Sequence, residues 1–253
     1  MSYLNTVPLV WGMLHGPQEA EVDLSFSIPS ECARDIENGR AEVGLVPVAE
    51  IARQDLEIVP GVGICCLGVV RSILLFSRVP WKEVRTLSAD SSSRTSAQLA
   101  RVILRECYGV EPNITQEAPV LRAMLSHSDS ALVIGDPALR LEPAKLPFDC
   151  LDLGAEWFRL TRLPFVFAAW AGKPGIAVTS LVGITVESHL YGQSHMDEIV
   201  ESEFAKRGVS RETAHRYLTG HIQFTIGGDE QRGLDTFFEM ANLGVPAFAG
   251  RGR

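Results

Sequence analysis

Hydrophobic positions along this chain recur with two periods. Over 22–28 (VDLSFSI) apolar and polar residues alternate as in a half-buried strand, and Pro29 stops the run. Ser30 then stands as the N-cap of a helix over ECARDIEN, with Gly39 closing it and a short strand following over Val43–Pro47. The plan returns further on, where Pro119 leads into VLRAMLSHS and the strand ALVIG. Superposing the segments sets Arg34 on Arg122, Val43 on Ala131, Val46 on Ile134 and Ile51 on Leu139. The pattern predicts an α/β fold of two similar lobes whose helix starts face a shared cleft. Two unrelated strand–helix units also look alike at this level.

The run over 64–77 (ICCLGVVRSILLFS) is too long and apolar to serve one lobe, so it is expected as a strand crossing between them. Pro80 and Trp81 open the second lobe, and LPFVFAAW brings the chain back. The boundaries expected are 1–77 with 168–253 for a discontinuous first lobe and 78–167 for the second. From Val178 onward the pattern is helical: SHMDEIVESEFAKRG, SRETAHRYLTG and DEQRGLDTFFEMANLG read as capped helices, with strand-like HIQFTIG between the last two.

Charge changes the picture of partners. A net charge of −8 and a pI near 5.3 disfavour nucleic acid and anionic membranes, both of which select a basic face. No apolar run reaches the roughly 18–20 residues of a membrane span, and MSYLNTVPLVWG lacks the basic-then-apolar order of a signal peptide, so a cytoplasmic location is expected. Any anion would be held by local donors against the overall field. The five cysteines, Cys32, Cys65, Cys66, Cys107 and Cys150, are odd in number and show no C-x-x-C spacing. They are expected as free thiols, Cys65 and Cys66 buried ones.

Candidate chemistry concentrates in two places. The run Asp90-Ser91-Ser92-Ser93-Arg94-Thr95-Ser96 feeds straight into an amphipathic helix. Unpaired N–H groups at a helix start, the helix dipole and these side chains together suit a carboxylate or phosphate. One cap needs one oxygen, and here several hydroxyls flank an arginine. Arg94 either faces the ligand or braces the loop. Ser30 is a second donor site on the other lobe. Ser72, inside an apolar strand at the cleft floor, either bonds the main chain or contacts the ligand. Asp136, after Gly135, either holds a turn or faces the cleft. The second place, DLGAEWFRLTRLPFVFAAW over 152–170, has the apolar and aromatic character of a cleft wall.

Other motifs carry less. Gly61-Val62-Gly63 precedes an apolar strand rather than a helix, so it reads as a turn and not a dinucleotide loop. The six histidines form no H-x-x-x-H pair and are expected mostly in solvated positions, and no G-x-S-x-G elbow is present.

Taken together, Ser2-Tyr3-Leu4-Asn5-Thr6-Val7-Pro8, Pro29-Ser30, 68–72 with Leu75, 90–96, Ile134-Gly135-Asp136-Pro137-Ala138-Leu139 and 152–170 resemble the chorismate dehydratases of the futalosine route to menaquinone. The resemblance runs in order along nearly the whole chain. It implies a two-lobed fold like that of type II periplasmic binding proteins. It also implies a lyase that removes water from chorismate to give 3-[(1-carboxyvinyl)oxy]benzoate, with no metal or organic cofactor. Carried onto this sequence, Asn5 and Ser72 become the catalytic pair. Ser30, Ser93, Arg94, Thr95, Ser96, Gly135 and Asp136 become the substrate-binding set. The partner implied is a small dicarboxylate, chorismate, and a monomer and a homodimer both fit. The alternative is a small-anion binding protein or effector-binding module on the same lobes, without catalysis.

Three departures stand out. The family carries a short strand before the Tyr-Leu-Asn motif, which here starts at residue 3, so either the start is assigned too late or the first lobe lacks a central strand. Arg162 stands where the family more often has glycine, and Glu42 replaces a smaller acidic residue.

Overall fold

A computed structural model of the chain describes residues 3–92, 94–176 and 178–248. After a 3-10 turn at Leu4–Thr6 come α1 (Val7–His15), α2 (Pro29–Glu37), β1 (Val43–Pro47), α3 (Val48–Arg53) and β2 (Glu57–Cys66). The chain then enters β3 (Ile73–Ser77), β4 (Thr86–Asp90), α4 (Arg94–Tyr108), β5 (Asn113–Glu117), α5 (Leu121–His127), β6 (Ser130–Ile134) and α6 (Gly135–Leu139). β7 (Asp149–Asp152) and α7 (Leu153–Thr161) lead into β8 (Phe165–Gly172). Last come α8 (Val178–Ser194), α9 (Met196–Glu203), α10 (Arg211–Arg216), a π turn at Tyr217–His221, β9 (Gln223–Ile226) and α11 (Gly228–Met240).

The strands form two sheets, β1-β8-β2-β9 and β5-β4-β6-β3-β7. The first is antiparallel throughout, whereas β4 runs parallel to both β5 and β6 in the second. Fully buried β8 explains its unbroken apolar sequence, since layers cover both of its faces. Beside it, the rings of Trp157, Phe165 and Phe237 meet edge-on at 4.9–6.2 Å, fastening α7 and α11 to the first sheet. α1 and α8 pack backbone to backbone: a Cβ on Gly12 would lie 2.6 Å from the Ser188 Cα. Among the described residues, no helix is long and apolar enough to cross a membrane.

The repeated helix–strand–helix plan is present as α2-β1-α3 and α5-β6-α6. Three expectations need correction. The alternating segment 22–28 is irregular, because no strand among the described residues lies beside it to supply a ladder. The run 64–77 is two strands rather than one, broken over 67–72, where Gly68 (φ +88°) and Arg71 (φ +66°) turn the chain from one sheet to the other. β3 therefore pairs in the second sheet, although the expected boundary at residue 77 put it with the first. Likewise β8 joins the first sheet from Phe165, three residues before the expected return at 168. The chain switches sheets across 67–72 and 153–164.

Asp152 ties these two connections together. Its carboxylate accepts the N–H groups of Val70 (3.0 Å) and Arg71 (2.7 Å) and caps α7 through Ala155 N–H (3.0 Å). The Arg71 guanidinium in turn donates to the carbonyls of Ala138 (3.0 Å) and Leu141.

Candidate active site

Between the sheets lies a cleft that encloses about 460 Å³ when its open mouth is counted. Tyr3 and Asn5 reach it from the N-terminal turn, Val70 and Ser72 from the connection over 67–72, and Ile73 from the start of β3. The second lobe contributes Ser96 from α4 with Ile134 and Gly135 at the β6–α6 junction. Pro47, Ile64, Phe167 and Ala168 supply apolar wall. The aromatic stretch 152–170 thus does wall the cleft, through its last strand.

Asn5 and Ser72 meet through a third residue. Asn5 Nδ2 donates to the Tyr217 hydroxyl at 3.0 Å, and that hydroxyl donates to Ser72 Oγ at 2.9 Å. Tyr217 is 1% exposed, and burial pushes its hydroxyl far above the usual tyrosine range, so it stays protonated. Ser72 also anchors the opposite wall, its carbonyl accepting Gly135 N–H at 2.8 Å.

Gly135 is fixed by its backbone and its neighbour. Its φ is +64°, and a Cβ there would lie 2.8 Å from the Tyr3 ring. That ring is held in turn by the oxygen-rich loop: the Tyr3 hydroxyl sits 2.7 Å from Ser92 Oγ, which donates to Asp90 Oδ1 at 2.7 Å. Burial pushes the Tyr3 hydroxyl up to about 12 and raises the Asp90 carboxyl above the ordinary carboxylate range.

The remaining expected residues divide. Ser96 is buried and lines the cleft. Thr95 Oγ1 accepts Ala49 N–H at 3.1 Å, joining the starts of α4 and α3. Arg94 braces the loop: its Nε lies 3.1 Å from Glu50 Oε1, with about half its side chain in solvent. The Asp136 carboxylate takes Leu4 N–H at 3.0 Å and Arg207 at 3.1 Å, a structural engagement rather than a free cleft-facing group. Ser93 and the Ser30 side chain lie outside the described residues, although Ser30 falls at the start of α2.

Sequence reasoning missed Tyr217 and treated Tyr3 only as part of a motif. One signal for Tyr217 was available: a lone aromatic where the polar helix SRETAHRYLTG ends, which the structure shows widening into a π turn. Cys65 and Cys66 are buried free thiols as expected, but His189, expected in solvent, is only 6% exposed. Among the described residues, no group of three or more His, Cys, Asp or Glu side chains is placed to hold a metal ion.

The architecture is that of the two-lobed binding proteins. An alkanesulfonate-binding protein from Xanthomonas axonopodis pv. citri, solved with MOPS, superposes with a TM-score of 0.67 at 12% identity over 96% of this chain and 92% of its own. A structure from Archaeoglobus fulgidus gives 0.71 at 16% identity, covering 95% and 94%. At such identities the likeness concerns the fold alone. Sequence goes further: the family model described as menaquinone biosynthesis matches residues 1–243, and the chain belongs to that family. The chorismate dehydratase of Thermus thermophilus is 29% identical over 240 residues, 87% of this chain and 86% of the relative. That of Campylobacter jejuni is 28% identical over 176 residues, 68% and 65% of the two chains.

Proposed function

We propose that this chain is a chorismate dehydratase, a cytoplasmic lyase that eliminates water from chorismate to form 3-[(1-carboxyvinyl)oxy]benzoate. The relationship to the Thermus enzyme supports the activity. The observation that carries the site is the convergence of Asn5 and Ser72 on one cleft through Tyr217.

The elimination removes the ring hydroxyl and the proton on the adjacent ring carbon, leaving an aromatic ring. Aromatisation drives the reaction, so the enzyme's task is to acidify that proton and ease hydroxide away. Charge leaving the C–H bond spreads through the diene toward the ring carboxylate. Donors on that carboxylate stabilise the transition state more than the ground state, an effect of about 3 kcal/mol per well-placed donor. Ser96 and the start of α4 are the donors assigned to this carboxylate, with Tyr3 and Gly135 shaping the wall beside it.

The described residues lining the cleft include no carboxylate, imidazole or amine. Of the nearby carboxylates, Asp136 is engaged by Leu4 and Arg207 and Asp90 Oδ1 by Ser92, while Asp90 Oδ2 is buried without a partner; neither residue lines the cleft. The substrate's own enolpyruvyl carboxylate is therefore the proton acceptor in this reading. Asn5 orients it and Ser72 donates a hydrogen bond to the departing oxygen.

Incubating the purified chain with chorismate tests the proposal. Loss of the diene absorbance should accompany a product lighter by one water and carrying an aromatic ring. Chorismate recovered unchanged would overturn the proposal, and saturable binding without turnover would mark a binding module instead.

A further inference from the structure

Resting on the dehydratase reading, we propose that Tyr217 is a positioning residue that sets the polarity of the Asn5–Tyr217–Ser72 chain, turning the Ser72 proton into the cleft. An asparagine Nδ2 only donates, so at 3.0 Å the tyrosine oxygen must be the acceptor from Asn5. Tyr217 is 1% exposed, so its own hydrogen needs a protein acceptor, and Ser72 Oγ lies 2.9 Å away. Were Ser72 instead to donate to Tyr217, the phenol would accept twice and leave a buried hydrogen unmatched, which costs roughly 1–3 kcal/mol.

The direction is therefore Asn5 to Tyr217 to Ser72. Ser72, as acceptor of the tyrosine proton, keeps its own hydrogen for a partner in the cleft that it lines. Hydrogen bonds in series polarise one another, so the chain makes Ser72 a stronger donor toward the departing oxygen than an isolated serine. At the other end, one N–H of Asn5 is engaged by Tyr217, which fixes the amide plane. Its Oδ1 and second N–H are then left to meet substrate in one orientation. The three residues come from the N-terminal turn, the first inter-sheet connection and the π turn after α10, so folding alone brings them together.

Tyr217→Phe removes the hydroxyl and keeps the ring. The test compares kcat, KM, Tm and affinity for the product 3-[(1-carboxyvinyl)oxy]benzoate in wild type, Tyr217→Phe, Ser72→Ala and the double variant. Expected is a fall in kcat of roughly 10–100-fold for Tyr217→Phe, with KM and product affinity within about threefold of wild type. In the Ser72→Ala background the same change should cost less than it does in wild type, because the route through the serine is already gone and only the hold on Asn5 remains. Equal losses in both backgrounds would overturn the assignment, as would parallel loss of turnover, product affinity and Tm, which marks a residue that only holds the cleft's shape. An inactive wild type removes the dehydratase reading and this assignment with it. An active wild type with an equally active Tyr217→Phe removes the assignment alone.

Discussion

The main-chain N–H of Leu4 donates to Asp136 Oδ1 at 3.0 Å, fastening the turn that carries Asn5 to the helix start beside Gly135. Arg207 binds the other carboxylate oxygen at 3.1 Å while also holding Glu203 at 2.8 Å. Asp136 thus connects the N-terminal turn, the second lobe and the segment after α9. Burial raises its carboxyl above the ordinary range even with a guanidinium beside it, so desolvation outweighs the ion pair.

Asp136→Ala removes both links and leaves the Leu4 amide and Arg207 without this acceptor. Breaking a mostly buried pair costs about 3 kcal/mol, or a fall in Tm of roughly 6–12 °C for a chain of this size. Asp136→Asn, which keeps an oxygen for Leu4 N–H, should lose less. Thermal denaturation of both variants checks this, and an Asp136→Ala Tm within 2 °C of wild type would refute the clamp.

Adjacent residues at the start of α4 have separate tasks. Thr95 faces α3 and accepts Ala49 N–H, whereas Ser96 faces the cleft. Thr95→Val should lower stability by about 1–2 kcal/mol, because a buried N–H loses its acceptor. Ser96→Ala should raise KM for chorismate by roughly tenfold, the effect of a lost charge-assisted hydrogen bond. The opposite pattern, with Thr95→Val governing KM, would reverse the assignment.

The contrast shows what was legible beforehand. The oxygen-rich run and its helix were readable because capping residues and a 3.6-residue period are local signals. Successive helical residues point about 100° apart, however, and only the packed neighbour α3 decides which of two hydroxyls meets the cleft. β8 was readable because burial on both faces leaves an uninterrupted apolar run. The alternation at 22–28 was misleading, since a strand also requires a partner. Nothing local couples Asn5 to Tyr217, 212 residues away, or distinguishes buried His189 from the exposed and half-buried histidines.

Arg162 closes α7 in the left-handed conformation at φ +63°, its guanidinium 5.5 Å from the Phe158 ring centroid. An L side chain there costs about 1 kcal/mol relative to glycine, and an exposed cation–π contact returns roughly half of that. Arg162→Gly should therefore raise stability by about 0.5 kcal/mol, a Tm increase of roughly 1–2 °C, with kcat and KM unchanged. A lower Tm would mean that the Phe158 contact outweighs the backbone strain.

His189 gives the fold a defined sensitivity to acid. The ring is 6% exposed, lies 4.9 Å from Phe224 between centroids, and leaves Nδ1 without a hydrogen-bond partner. Burial lowers its pKa below the ordinary histidine value, despite a hydrogen bond to the Pro8 carbonyl. Below pH of about 6.5 the unfolded chain therefore binds a proton that the folded chain resists, and stability falls as pH drops through that window. The raised carboxyls of Asp90 and Asp136 act in the opposite sense, binding protons more readily in the folded state as pH falls toward the carboxylate range. Comparing wild type with His189→Gln isolates the imidazole, because both proteins share those carboxyls. Between pH 7.5 and 5.5 the wild-type Tm should fall more steeply than that of His189→Gln. Parallel Tm profiles would show that the ring protonates without cost to the fold.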